Sequence, residues 1–290
     1  MPEIRNIKKV LQSKPVLEGA GVHLKRGFGF NEVPLFDPFL LFDDFRSDNP
    51  DHYLKGFPWH PHRGIETITY VLDGDVKHGD SLGNKGTISS GDIQWMTAGS
   101  GIIHQEMPKG DSKGKMNGFQ LWANLPAKDK MISPRYRDLK SGQIPLITLD
   151  NGVIIRVIAG VVNGTKGPVQ DIIIDPEYLD ITLPPNYDFR HSTKHGHTVF
   201  AYIIDGQGNF KDDKRNSELE NANFIGNESI VLFDDGDEIN IATAEHNARF
   251  LLISGKPIGE PVAWQGPIVM NTNEELRIAF KEYELGTFIK

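Results

Sequence analysis

The sequence predicts an all-β protein with two barrel-like halves and one short helix at its C-terminal end. Many short runs of β-branched residues are separated by glycine-containing turns, which is typical of sandwiches and barrels rather than of alternating strands and helices. Residues 70–75 and 202–207 share the pattern of an aromatic, two aliphatic residues, aspartate and glycine, and each follows an H-x-H pair. An internal duplication of one β-domain explains this repetition.

The strands follow from the positions of these runs. We expect them within residues 19–26, 37–45, 66–72, 86–96 and 117–125 in the first half, and within 153–160, 178–183, 199–204, 229–233 and 250–253 in the second. Asp73-Gly74-Asp75 is a hairpin signal. Near the end, apolar positions 276, 279, 280 and 283 have helical spacing, and Asn271 or Thr272 can cap the helix.

Composition also suggests where one domain ends and the next begins. Residues 126–145 are rich in charge, poor in β-branched residues and contain prolines, as connections between domains often do. We therefore expect a first domain over residues 1–130, a linker over 131–145 and a second domain over 146–290.

The overall charge and the missing cysteines exclude several classes of function. A formal net charge of −8 leaves no basic field for nucleic acid, so direct DNA binding is not expected. With no cysteine, disulfides and thiolate metal sites are excluded, and any metal must be held by nitrogen and oxygen ligands. No segment has the length and apolarity of a signal peptide or membrane span, so we expect a cytosolic protein.

Two strand segments carry candidate metal ligands. His60 and His62 are separated by one residue, so an extended backbone projects both imidazoles from one face. His104 and Glu106 have the same spacing in a second segment. Glu66 shares the strand parity of the first pair and is an alternative carboxylate ligand, so the choice between Glu66 and Glu106 stays open on spacing alone.

The motifs around these residues resemble those of a known family. An H-x-H-x3-E segment followed by a glycine-rich turn ending in histidine resembles the two cupin motifs. More narrowly, five blocks are similar to the pirin family: DPFLLFD at 37–43, HPHRG at 60–64, QWMTAG at 94–99, GIIHQE at 101–106 and GPIVMNT at 266–272. The likeness therefore covers nearly the whole chain.

The resemblance implies a fold and a metal site. Pirins have two face-to-face cupin barrels of the double-stranded β-helix, or jelly-roll, type with iron in the N-terminal one. Matched residue by residue, the ligands are His60, His62, His104 and Glu106. Fe(II) suits this shell, and Mn, Ni, Cu or Zn could enter a similar one. In the second half His195 and His197 repeat the spacing and His246 follows, but the resemblance implies a degenerate barrel without metal.

The resemblance also implies a function. Pirins resemble quercetin 2,3-dioxygenases, so we expect a flavonol-type aromatic substrate and O2, with Glu106 accepting the proton of the flavonol hydroxyl. Trp95, Met96, Phe42 and Phe57 could form the apolar walls around a flat ligand. The alternative is a non-enzymatic, iron-dependent, redox-sensing regulator that binds a protein partner such as a transcription factor or a metabolic enzyme.

Overall fold

The computed structural model describes residues 2–149, 151–210 and 224–290, which form two compact units. We call residues 14–143 with 258–290 the N-terminal barrel, and residues 2–13 with the described part of 144–257 the C-terminal barrel. The predicted all-β class with one short C-terminal helix is confirmed. No described helix is long and apolar enough to cross a membrane.

The strands of the first half are β1 (Ile7–Gln12), β2 (Lys14–Glu18), β3 (Val22–Phe28), β4 (Phe39–Asp44), β5 (Phe57–His62), β6 (Ile65–Asp73), β7 (Asp75–Asp80), β8 (Lys85–Ser89), β9 (Ile93–Thr97), β10 (Ile102–Lys109), β11 (Asn117–Asn124) and β12 (Arg135–Leu139). Those of the second half are β13 (Leu146–Thr148), β14 (Ile154–Ala159), β15 (Val161–Val162), β16 (Thr165–Lys166), β17 (Glu177–Leu183), β18 (Asp188–Ser192), β19 (Thr198–Phe210), β20 (Ile225–Gly226), β21 (Ser229–Phe233), β22 (Glu238–Ala242), β23 (Ala248–Gly255), β24 (Ala263–Gln265) and β25 (Ile268–Met270). Short 3-10 helices span Phe30–Glu32, Pro50–His52, Ala127–Asp129 and Ser141–Gln143, and α1 spans Asn273–Glu284.

Two large sheets form the N-terminal barrel, beside a two-stranded sheet of β24 and β25. The larger has the order β12-β9-β6-β11-β4-β3-β2, and the smaller has the order β5-β10-β7-β8. The hairpin expected at residues 73–75 is wrong, because β6 and β7 belong to different sheets. Gly74, at φ 88°, turns the chain from one sheet to the other, which is the corner that a barrel needs.

The C-terminal barrel is built around a sheet of order β1-β21-β19-β23-β17-β14-β13, to which β18, β20 and β22 attach. Inward-facing valine, isoleucine, leucine and phenylalanine side chains of these strands form one buried cluster. Its interior therefore has the character of a plain hydrophobic core.

The compact units depart from the predicted domain boundaries at three places. Residues up to Ser13 belong to the C-terminal barrel, because β1 pairs with β21 there. Residues from Ile258 onward belong to the N-terminal barrel. The expected linker over 131–145 is not a free connection, since β12 pairs with β9 at the edge of the seven-stranded sheet.

The predicted C-terminal helix is confirmed as α1. Thr272 is its N-cap, and a capping box with Glu275 satisfies free backbone groups of the first turn. Leu276 and Ala279 form the buried side of the helix, in the apolar cluster that also contains Phe288. The helix thus packs on the N-terminal barrel, close to the return of the chain through β25.

Candidate metal centre

Strands β5 and β10 bring the three predicted histidine ligands together. They are antiparallel neighbours, with His60 opposite His104 and His62 opposite Ile102. Burial alternates along β10, so that His104 and Glu106 face inward while Gln105 is only half-buried. The period of two read from the sequence is therefore present in the structure.

The imidazoles are arranged as metal ligands are. The nitrogens of His60, His62 and His104 that could bind an ion lie within 4.8 Å of one another, and among the described residues they are the one such group. Nδ1 of His60 lies 2.8 Å from the Pro58 carbonyl oxygen, and Nδ1 of His62 lies 3.0 Å from that of Pro267. Because a carbonyl only accepts, each Nδ1 carries the proton and each Nε2 keeps a free lone pair.

Two further observations indicate that a cation belongs here. The Nε2 atoms of His60 and His62 face each other at 3.1 Å, where two lone pairs repel unless a positive charge lies near both. Both ring nitrogens of His104 are buried without a hydrogen-bond partner. Buried polar atoms are seldom left unpaired, so the residues fit a metal ion.

Burial keeps two of these imidazoles neutral. It lowers the pKa of His62 well below its ordinary value, and the charge of His60 adds to the effect. The pKa of His104 is also lowered well below its ordinary value, first by burial and then by His62 and His60. Neutral imidazole is the form that binds metals, so protons compete weakly for these two ligands.

Glu106 lines a cavity together with His60 and His62, but it is not part of the group of three converging histidines. Thr69 Oγ1 is 3.0 Å from Glu106 Oε1 and 2.8 Å from Gln120 Oε1. A hydroxyl has one proton, so Thr69 donates to one of these oxygens at a time. Burial raises the pKa of Glu106, while the charge of His60 and the Thr69 hydrogen bond oppose this.

Glu66, the alternative ligand, is occupied by other partners. Its Oε1 accepts a hydrogen bond from Thr97 Oγ1 at 2.6 Å, and its Oε2 accepts one from Trp95 Nε1 at 3.1 Å. Both donors belong to β9, the neighbouring strand. Burial raises the pKa of Glu66, with Thr97 and Trp95 acting against it. Its carboxylate therefore ties two strands together, away from the three imidazoles.

A cavity of about 590 Å³ opens beside the histidines. Its aromatic wall runs outward from the site: the His62 ring lies 5.0 Å from Trp122, Trp122 lies 5.8 Å from Trp264, and Trp264 lies 5.7 Å from Phe30, measured between ring centroids. Such a wall suits a flat aromatic ligand.

Of the four residues predicted to form the apolar walls, one lines the cavity. Phe57 lines the cavity, whereas Phe42, Trp95 and Met96 are buried elsewhere in the barrel. Sequence reasoning missed the tryptophans named above and a polar group made of Glu18, Arg26, Asp43 and Gln120. Alternation could have paired Gln120 with Trp122 on one face of β11, but nothing local indicated that this face meets the metal ligands.

The C-terminal segment of the N-terminal barrel, residues 258–290, completes the site. It supplies the Pro267 carbonyl that orients His62, and it is fixed by two buried cations. Arg63 donates to the carbonyl oxygens of Ser100 and Phe288 at 2.7 and 2.8 Å. Lys130 Nζ donates to Val269 at 3.1 Å and to Gly64 at 2.9 Å.

Gly64 explains why glycine follows the H-x-H-R motif. Its φ is 76°, and a Cβ there would collide with the carbonyl oxygen of Val269. Only glycine allows the C-terminal segment to approach the strand that carries His60 and His62 so closely.

The histidines of the second half are placed differently. His195 is 66% exposed and its Nδ1 lies 3.1 Å from Asp235, while His197 Nε2 lies 3.7 Å from Asp175. His246 is exposed in the bend between β22 and β23. Within the residues that the structure describes, these side chains form no group of converging ligands, and the barrel interior next to them is apolar.

Comparisons with known proteins agree with this architecture. The Pirin family model matches residues 21–123, and the model of the Pirin C-terminal cupin domain matches residues 178–289. A pirin-like protein of Caulobacter vibrioides is 41% identical over 98% of this chain and 99% of its own length. A Pseudomonas aeruginosa protein provisionally named as a quercetin 2,3-dioxygenase is 39% identical over 99% of both chains.

A solved structure supports the same assignment. The crystal structure of a quercetin 2,3-dioxygenase from Acinetobacter baumannii superimposes with a TM-score of 0.86 at 30% identity and covers 98% of each chain. The strand order, the histidine cluster and the matches over both halves lead to one conclusion: the chain belongs to the pirin family, whose fold is that of the bicupins.

Proposed function

We propose that this protein is a metal-dependent dioxygenase that cleaves quercetin or a related flavonol with O2. The observation that carries the proposal is the convergence of three imidazoles beside a cavity with an aromatic wall. The relatives named as quercetin 2,3-dioxygenases support the reaction class.

In this proposal His60, His62, His104 and Glu106 hold the metal, and Fe(II) is the ion that this donor set suits best. Mn, Ni, Cu or Zn would find the same donors. When bound, a redox-active ion supplies the electronic coupling between the aromatic substrate and O2. Both oxygen atoms enter the product and carbon monoxide leaves, so no external reductant is needed.

The chain's own residues would orient the substrate and move its proton. Trp122 and Trp264 offer flat apolar contact that fixes the plane of a flavonol. Glu106 is the proposed catalytic base, because its pKa is raised by burial and it can accept the flavonol hydroxyl proton. Once Glu106 is protonated it can donate to Thr69 Oγ1, and the Thr69 hydroxyl is then free to donate to Gln120 Oε1.

The test is turnover by protein whose metal content has been measured. Protein loaded anaerobically with Fe(II) is mixed with quercetin and air, and the loss of quercetin absorbance and the release of carbon monoxide are followed. We expect turnover that disappears in His60→Ala and without O2. His195→Ala, which changes an exposed histidine of the C-terminal barrel, should keep full activity.

No turnover by fully loaded protein with any flavonol would overturn the proposal. That result would favour the alternative, in which the metal-loaded barrel is a regulatory module for a protein partner. A pull-down that compares metal-loaded with metal-free protein would then be the next measurement.

A further inference from the structure

A row of polar side chains crosses the seven-stranded sheet and begins at the metal centre. Thr69, Gln120, Asp43 and Arg26 are successive cross-strand partners on β6, β11, β4 and β3. Cross-strand partners project from the same face of a sheet. Thr69 contacts Glu106, and the other three line the cavity. With strands about 4.8 Å apart, Asp43 lies about 10 Å from Thr69, which is comparable with the long axis of a flavonol.

The end of the row farthest from the metal ligands is an ion cluster. Arg26 Nε and Nη2 each donate to an oxygen of Asp43 at 2.8 Å, and Nη2 also lies 2.9 Å from Glu18 Oε1. Two carboxylates against one guanidinium leave a formal charge of −1. A guanidinium already engaged by two carboxylates binds a third anion poorly, whereas each carboxylate oxygen retains a lone pair for a hydroxyl donor.

An apolar strip runs beside this row. Leu41 and Trp122 are cross-strand partners, and each lies two residues from a member of the polar row, so the two rows share one face of the sheet. A flat ligand lying over Leu41 and Trp122 would turn one edge towards Gln120 and Asp43. Its far end would meet Asp43 and Glu18.

From this arrangement we infer that Asp43 and Glu18 bind hydroxyl groups at the end of the substrate farthest from the metal, while Arg26 holds both carboxylates in position. The cavity thereby selects uncharged, polyhydroxylated aromatic molecules and rejects those that carry a carboxylate at that end. The inference rests on the proposed function, and it identifies which flavonol-type molecules the cavity accepts.

The test measures binding separately from turnover. Metal-loaded protein is titrated without O2 with three probes: quercetin, with two hydroxyls on its B ring; galangin, with none; and a flavonol with a carboxylate on that ring. We expect quercetin to bind about tenfold more tightly than galangin, as a hydrogen bond to a charged group allows, and the carboxylate probe to bind most weakly. In Asp43→Asn the advantage of quercetin should vanish and the carboxylate probe should gain affinity.

Asp44→Asn is the matched control. Asp44 is the next residue on β4, faces the other way and also bonds an arginine, Arg46, at 2.6 Å. It should leave the ratio of the quercetin and galangin affinities unchanged. Glu18→Gln, at a half-exposed position on the cavity rim, should lower the ratio of the quercetin and galangin affinities without affecting folding. If Asp43→Asn does not fold, this variant tests the inference in its place.

Equal affinities of the unaltered protein for quercetin and galangin would overturn the inference. An equal loss of affinity for both flavonols in Asp43→Asn would also overturn it. These outcomes differ from a failure of the proposed function. If no flavonol is turned over but the affinity ratio responds as expected, the subsite stands and the reaction is wrong.

Discussion

The Nδ1 atom of His62 lies 3.0 Å from the carbonyl oxygen of Pro267, 205 positions later in the sequence. A metal-binding imidazole is oriented by the partner of its second nitrogen. Here that partner belongs to the C-terminal segment, which Arg63, the neighbour of His62, attaches to the barrel. The candidate metal centre therefore depends on residues that are far in sequence from the three histidines.

We predict that Arg63→Lys weakens metal binding about tenfold, as loss of an outer partner of a ligand typically does. A lysine cannot reach Ser100, Glu282 and Phe288 together, so the Pro267 carbonyl loses its support. Affinity is measured by competition with a chelator. Arg277→Lys is the control, because Arg277 makes an exposed pair with Glu274 on α1, and it should leave affinity unchanged. Equal affinities for both variants would contradict the prediction.

The choice of carboxylate ligand is tested by two glutamine substitutions. Glu106→Gln should lose most of its metal affinity, because it removes a negative charge from the cavity that His60 and His62 line. Glu66→Gln should keep the metal and lower stability by about 1–3 kcal/mol, since a glutamine amide poorly replaces the carboxylate that accepts from Thr97 and Trp95. Metal content and urea unfolding are measured for both. Loss of metal in Glu66→Gln alone would reverse the assignment.

Thr69→Val tests the hydroxyl between Glu106 and Gln120. Valine has nearly the same shape but cannot donate, so Glu106 loses a buried partner. We expect kcat for quercetin to fall about tenfold while the fold is retained. The control is Thr67→Val, two residues earlier on β6 and equally buried, which should have no more than a small effect on kcat. Similar losses for both variants would count against a role for Thr69.

Lys130 should give stability a measurable pH dependence. Burial lowers the pKa of Lys130 to about 8 from 10.5, while Glu260 and Glu275 oppose the shift. Between these pH values the unfolded chain binds the proton and the folded chain does not, so the free energy of unfolding rises with pH, by about 1.4 kcal/mol per pKa unit.

The measurement is urea unfolding of the unaltered protein and of Lys130→Met from about pH 7 to about pH 10.5. The difference in unfolding free energy between them should increase in favour of the unaltered protein across this range. Lys128→Met, at an exposed position of the 3-10 helix that Lys130 caps, should show no such trend. A constant or falling difference for Lys130→Met would refute the shifted pKa.

Metal stoichiometry tests the C-terminal barrel. We predict one equivalent of metal per chain, because His195 lies exposed beside Asp235, the largely buried side chain of His197 lies beside Asp175, and the interior of the C-terminal barrel is apolar. The number is obtained by elemental analysis of protein purified without added metal. Values near two equivalents, reduced to one in a His195→Ala, His197→Ala double variant, would establish a second site.

Strand alternation made the inner faces of the metal centre predictable. Because side chains alternate along a strand, the spacing of His60 with His62 and of His104 with Glu106 indicated shared faces, and the structure has them so. By the same rule Asp43 and Asp44, which are adjacent on β4, point to opposite faces of the sheet. Alternation alone does not say which of these two residues points into the cavity, since that depends on the register of β4 against β11.

The rest of the site depended on long-range packing. Trp264 and Pro267 reach the cavity only because the C-terminal segment returns to the N-terminal barrel. The residue types at 73–75 equally suit a hairpin or a corner between sheets, and the wider pairing of β6 with β9 and β11 selects the corner. Local propensity could not distinguish these outcomes.

The path of the chain also determines when the metal can be captured. A ribosome makes β1 first, then the strands bearing His60, His62 and His104, then the remaining strands of the C-terminal barrel, and only afterwards the segment that holds Pro267. During most of its synthesis the nascent polypeptide thus exposes imidazoles whose second nitrogens are only partly engaged. We therefore expect tight retention of a metal ion only after the segment holding Pro267 has packed against the barrel, which makes metal loading a late event in the biogenesis of this protein.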